Sequence, residues 1–186
     1  MAQLDEHGDD EGVEVGGRRK LQFFGRDSAR EAHETPMLRT PEFDQPALDA
    51  LPEFGSAGGS RVLLLFGDPE SPDDGGMSLV SVRFAPNYVL PRHSHSVDCL
   101  YFIHAGSIRM GSRTFEVGDG FFAPAETPYG YTAGPQGVEL LEFRNVSAFD
   151  SRIRESQTGW QRILETVRAN RDDWAEHMVA GTPGQW

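Results

Sequence analysis

The sequence predicts an all-β fold, a double-sheet jelly roll with an N-terminal arm and a C-terminal helix, and three observations predict it. Between residues 61 and 148 short apolar runs recur at even spacing, each bounded by Gly, Pro, Asn or Ser, the pattern of strands joined by tight turns. Ahead of them, prolines at 36, 41, 46 and 52 deny a long helix. Behind them, from about Ser156, the apolar period switches from two to three and four.

The chain has 186 residues, 38% of them hydrophobic, enough for one domain with its own core. Seventeen basic against 29 acidic residues leave a net charge of −12, which argues against nucleic acid or an anionic membrane as partner. One cysteine excludes an intrachain disulfide framework. With no charged-then-apolar leader and no long apolar run, the expected setting is cytoplasmic and reducing, and the expected partner a small molecule.

Residues 1–20 carry an acidic run and then Arg18, Arg19 and Lys20, with little to bury, and are expected to be a disordered tail. Residues 21–60 read as a Pro-rich extended arm with apolar anchors such as Phe23, Met37, Phe43 and Phe54, and at most a short helical turn near Ala47 to Leu51. The barrel follows over 61–148. Its expected strands cover 61–66, 77–84, 99–103, 107–110, 113–117, 121–123, 129–133 and 138–143, with hairpin turns at 111–112 and 134–137. Residues 149–186 form the C-terminal helical segment: Trp160, Ile163, Leu164, Val167, Trp174 and Met178 line one face of one helix, or of two broken near Asn170. Gly181 and Pro183 close it.

His93 and His95 are one residue apart in an extended stretch, so their side chains share a face and converge. Neutral imidazoles offering ring nitrogens to one centre suit a divalent iron, zinc, copper or nickel ion. A turn follows, then the run Cys99 to Ile103 and Gly106. A second Gly-to-Pro stretch runs from Gly118 to Pro124 and on to Tyr129.

Together these stretches, over roughly residues 85 to 145, resemble the two motifs of the cupin superfamily, G-x5-H-x-H-x3-4-E-x6-G and G-x5-P-x-G-x2-H-x3-N. His93, His95 and Gly106 fall on the first, Gly118 and Pro124 on the second. Asn87 stands at the first glycine, Cys99 at the glutamate, Glu126 at the second motif's second glycine, Tyr129 at the third histidine and Ala133 at the asparagine. The resemblance implies a jelly-roll barrel holding a metal ion, often in a homodimer, with only two of the four usual ligands retained.

The remaining site residues follow from strand phase. Cys99 is a candidate thiolate ligand, or a small buried hydrophobe, and Asp98 an alternative anion or a turn cap. Tyr129 is expected to donate a hydrogen bond to substrate, with Tyr131 beside it, both as catalytic candidates. Tyr101, Phe122, Tyr129 and Phe143 are expected to line a substrate pocket for an aromatic or otherwise planar ligand. His104 is out of phase and should face away. Arg92, Arg109 and Glu142 either bind a substrate carboxylate or pair on the surface. Two functions fit these residues: a metal-dependent oxygenase, lyase or isomerase, and a non-catalytic binding or regulatory barrel.

Overall fold

The structure, a computed structural model, describes residues 21–70 and 76–179. The tail expected over 1–20 and the helix stop at Gly181 and Pro183 lie outside them. The elements are β1 (Arg30–Glu31), β2 (Leu38–Phe43), α1 (Gln45–Phe54), β3 (Ser60–Phe66), β4 (Ser78–Phe84), β5 (Val89–Ser94), β6 (Cys99–Met110), β7 (Arg113–Glu116), β8 (Gly120–Ala123), β9 (Tyr129–Arg144), β10 (Phe149–Ile153) and α2 (Gln157–Val179). Among the described residues no helix is long and apolar enough to cross a membrane.

The fold is mainly β, one curled sheet forming a jelly-roll barrel, and β9 is its hub. The first part of β9 pairs antiparallel with β5, placing His93 opposite Tyr129. Its last part lies between β4 and β6, with Glu142 opposite Val80 on one side and Tyr101 on the other. Alternation then fills the barrel: Val80, Val82 and Phe84 from β4, Tyr101 and Ile103 from β6, and Tyr131 and Leu140 from β9 are buried.

Two expected breaks are absent. Residues 99–103 and 107–110 are one strand, β6, and the expected hairpin at 134–137 lies inside β9. Gly106 and Gly137 let both strands run on through bulges: each has a positive φ, 72° and 78°, and a Cβ on Gly106 would collide with the Gly137 carbonyl.

The arm is more regular than its prolines suggest. Leu38–Phe43 joins the sheet as β2, parallel to β10, which in turn pairs with β5 through Ile153 and His93. α1 runs ten residues. The Asp44 carboxylate caps it by accepting from Ala47 N at 3.1 Å, and Pro46 sits in the first turn, where no intrahelical N–H is required. Residues 149–153, expected to begin the helical segment, form β10 instead.

α2 is a single helix, continuous through Asn170, whose amide donates to Thr166 O. Its buried face of Trp160, Ile163, Val167 and Trp174 covers α1 and the end of the barrel. Trp174 Nε1 donates to Pro86 O at 2.7 Å, and its ring lies against Gly59.

Candidate functional site

His93, on β5, and His95, just past its end, are both buried, their ring centroids 5.0 Å apart. Each Nδ1 faces a backbone carbonyl: His93 faces Pro91 O at 2.8 Å, and His95 faces Asp150 O at 2.7 Å. A carbonyl only accepts, so both protons sit on Nδ1 and both Nε2 atoms are bare. The bare nitrogens converge on one atom, Tyr129 Oη, at 3.0 and 3.1 Å. Tyr101 Oη reaches the same atom.

Burial sets the protonation of this cluster. It pushes both imidazoles down to about 4, helped at His93 by the charge of His95 and at His95 by Arg144. It pushes the phenols of Tyr101 and Tyr129 well up. At neutral pH two bare Nε2 atoms therefore share one phenol hydrogen from Tyr129, and one lone pair faces an oxygen without a proton between them. The cluster lacks one electron-poor centre. Two imidazoles locked through Nδ1–H, with a phenol oxygen between them, fit a borderline divalent ion at that point. Among the described residues no group of three or more His, Cys, Asp and Glu side chains converges to hold one.

Cys99 is buried, but its Sγ lies 3.2 Å from Arg144 Nε, on the guanidinium rather than on the imidazoles, and burial pushes its thiol up. Asp98 is neither at the imidazoles nor a cap of its own turn: its Oδ1 accepts from Ala125 N at 2.8 Å, in the loop after β8. His104 is exposed. Tyr131 is buried, and among the described residues its hydroxyl has no partner. Asn87 and Glu126, at the two motif positions where glycine is usual, have φ of 59° and 62°, so the backbone keeps the left-handed turn without the glycine.

A cavity of about 520 Å³ opens over the imidazoles. His93, His95, Glu142 and Arg144 form its polar floor, and residues such as Met37, Phe84, Leu90 and Phe149 its apolar wall. Glu31, Ala32 and His33 of the arm also line it. None of the four residues expected in a pocket lines this cavity, but Tyr129 lines a separate one with Tyr131, Arg92 and Arg109. Tyr101 and Tyr129 meet the imidazoles only through the hydroxyl cluster. Phe122 is 57% exposed, because the inward residue of β8 is Phe121, stacked on Tyr101 at 4.4 Å. Phe143 faces outward because its neighbours Glu142 and Arg144 take the inward phase. Phe122, Leu100, Phe143, Leu79 and Phe66 are cross-strand partners in one outer apolar row.

Sequence reasoning left Glu142 undecided and missed Arg144 and Phe149. Arg144 Nη2 donates to Glu142 Oε2, its guanidinium carbon lies 3.7 Å from the Phe149 ring centroid, and Nη1 is buried without a partner among the described residues. The only signal in the sequence was the even spacing of Leu140, Glu142 and Arg144, which places two charges on the inner face.

No family model and no curated protein matches the sequence. Among solved structures, the polyketide cyclase RemF from Streptomyces resistomycificus is similar over 83% of this chain and 98% of that chain, at 15% identity and a TM-score of 0.52. An RmlC-like cupin from Shewanella frigidimarina is similar over 49% of this chain and 78% of that one, at 20% identity and a TM-score of 0.40. The DMSP lyase DddQ from Ruegeria pomeroyi is similar over 38% and 39%, at 22% identity and a TM-score of 0.35, so this chain spans about two fifths of that one. At such identities the likeness concerns the fold.

Proposed function

The chain has the cupin fold, and from that premise we propose that it is a metal-dependent enzyme acting on a small planar organic molecule in the barrel cavity. His93 and His95 hold a divalent ion of iron, zinc, copper or nickel, with the Tyr129 oxygen as the third protein donor. The observation that most supports this is the proton count: two bare Nε2 atoms meet at one phenol that carries one hydrogen. A cation there gives both lone pairs a partner.

Bound there, the ion supplies Lewis-acid polarisation of a substrate oxygen or, for a redox-active metal, activation of dioxygen, the chemistry of lyases, isomerases and oxygenases. The chain's own residues do the rest. The apolar wall excludes water and strengthens every polar contact at the floor. The Pro91 and Asp150 carbonyls fix the imidazole orientation. Tyr101 Oη hydrogen-bonds the Tyr129 oxygen and holds it beside the imidazoles, and Tyr131 is buried two residues further along the same strand.

Elemental analysis of tag-free protein after dialysis against a mild chelator tests this reading. Near-stoichiometric metal is expected, lost in His93→Ala and in His95→Ala and kept in His104→Ala. Equal loss from all three variants contradicts the geometry.

A second reading, a metal-free binding barrel, is favoured by one observation: among the described residues no third His, Cys, Asp or Glu joins the imidazoles. It expects ligand binding in the cavity with no retained metal. The outer apolar row, with Leu100 51% and Phe122 57% exposed, is the face on which a second copy packs in a homodimer. The lone free thiol, Cys99, suits a reducing, cytoplasmic setting.

A further inference from the structure

Glu142 is a charged acceptor on the cavity floor that, among the described residues, has a donor at only one of its two carboxylate oxygens. It sits in the middle of the last part of β9, flanked by β4 and β6, with its side chain pointing inward. A side chain so placed can be exposed only to the lumen, and Glu142 lines the cavity with 11% of its side chain open.

One of its oxygens is already committed. Oε2 accepts from Arg144 Nη2, while among the described residues Oε1 accepts no hydrogen bond. Arg144 is fixed on three sides, by Cys99 Sγ at Nε, by Glu142 at Nη2 and by the Phe149 ring against its face, and its side chain is only 1% exposed. Both groups belong to the cavity floor, and Arg144 Nη1 has no partner among the described residues, but the guanidinium is the more deeply set, at 1% exposure against 11% for the carboxylate. An entering anion meets Glu142 first and is repelled, whereas an entering O–H finds a free, charge-assisted acceptor in surroundings of low dielectric. The size of the cavity and its apolar wall suit a flat ring system around that hydroxyl.

We propose that the cavity takes a hydroxylated aromatic or enolic molecule whose O–H donates to Glu142 Oε1, with Arg144 as the positioning residue that holds the carboxylate toward the lumen. This names the substrate class of the site described above and rests on the barrel cavity being the ligand site, though not on the metal.

The test measures binding of three probes of one shape, 1-naphthol, 1-methoxynaphthalene and 1-naphthoate, to chelator-treated and to zinc-treated protein. The expected order is naphthol tightest, the methyl ether weaker by about tenfold, and naphthoate weakest. Glu142→Gln is expected to bring naphthol and its ether to within about threefold of each other and to admit naphthoate. Should Glu142→Gln fail to fold because Arg144 loses its counter-charge, the double variant Glu142→Gln/Arg144→Met removes both charges and must show the same loss of preference. Arg144→Lys, which keeps a cation beside Glu142, is expected to retain it.

Tighter binding of naphthoate than of naphthol, no binding of naphthol, or an unchanged naphthol-to-ether ratio in the Glu142 variants overturns the proposal. Preference for naphthol in protein that holds no metal before chelator treatment and takes up no zinc sinks only the metal reading. Retained metal without that preference sinks only this one.

Discussion

Acid should destabilise this protein through its two site histidines, well above the range where carboxylates titrate. Burial holds both imidazoles down to about 4 in the folded chain, against an ordinary value of 6.5. Between those limits the unfolded chain binds protons that the folded chain does not, so stability is fully present above 6.5 and is lost as pH falls toward 4. At about pH 5, one and a half pH units below 6.5, each histidine costs about 2 kcal/mol at 1.36 kcal/mol per unit, and the pair about 4 kcal/mol. That is a large share of a typical domain's stability of about 5–15 kcal/mol. Urea unfolding with chelator present, followed by tryptophan fluorescence at about pH 7.5 and about pH 5, reads the difference. The double variant His93→Gln/His95→Gln starts less stable but should lose far less over the same interval, keeping only a small slope from His177, whose burial lowers it in the same direction. Equal pH dependence in the two proteins would refute the assignment of two neutral buried imidazoles.

Two further outcomes follow from packing. Gly59 has a φ of 79°, and a Cβ there would lie 2.8 Å from the Trp174 ring, so Gly59→Ala should cost about 2 kcal/mol or more in thermal unfolding. Gly58, at φ 69° but with open space around it, should cost only about 1 kcal/mol on the same change; equal losses would remove Trp174 packing as the cause. On the outer row, Phe122→Asp or Leu100→Asp should convert a dimer to a monomer by light scattering with the circular dichroism unchanged, and a persistent dimer in both would move the interface elsewhere.

How much was legible depends on whether a feature rests on local period or on strand neighbours. His93 and His95 share a face by period alone, and the outward turn of His104 follows in the same way. The jelly roll was legible because each strand carries its own turn chemistry. Cys99 was inward by phase, but its partner, Arg144, comes from a register 45 residues away that no local pattern states. Phe121 and Phe122 are adjacent phenylalanines in a four-residue strand, so composition could not choose which one faces in. At β9 the rule that apolar residues point inward reversed: the Glu142–Arg144 pair took the lumen and left Phe143 outside. The arm was misread because a well-placed cap at Asp44 and a first-turn proline outweigh a count of prolines.

The most direct test of the metal site is the imidazole nitrogen spectrum of tag-free protein, selectively labelled at histidine, during titration with zinc. Two bare nitrogens waiting for one cation predict that the Nε2 signals of His93 and His95 move together and saturate at one equivalent, while both Nδ1 atoms keep their protons. Unmoved Nε2 signals at both residues, with any response confined to exposed histidines such as His104, would contradict the metal site.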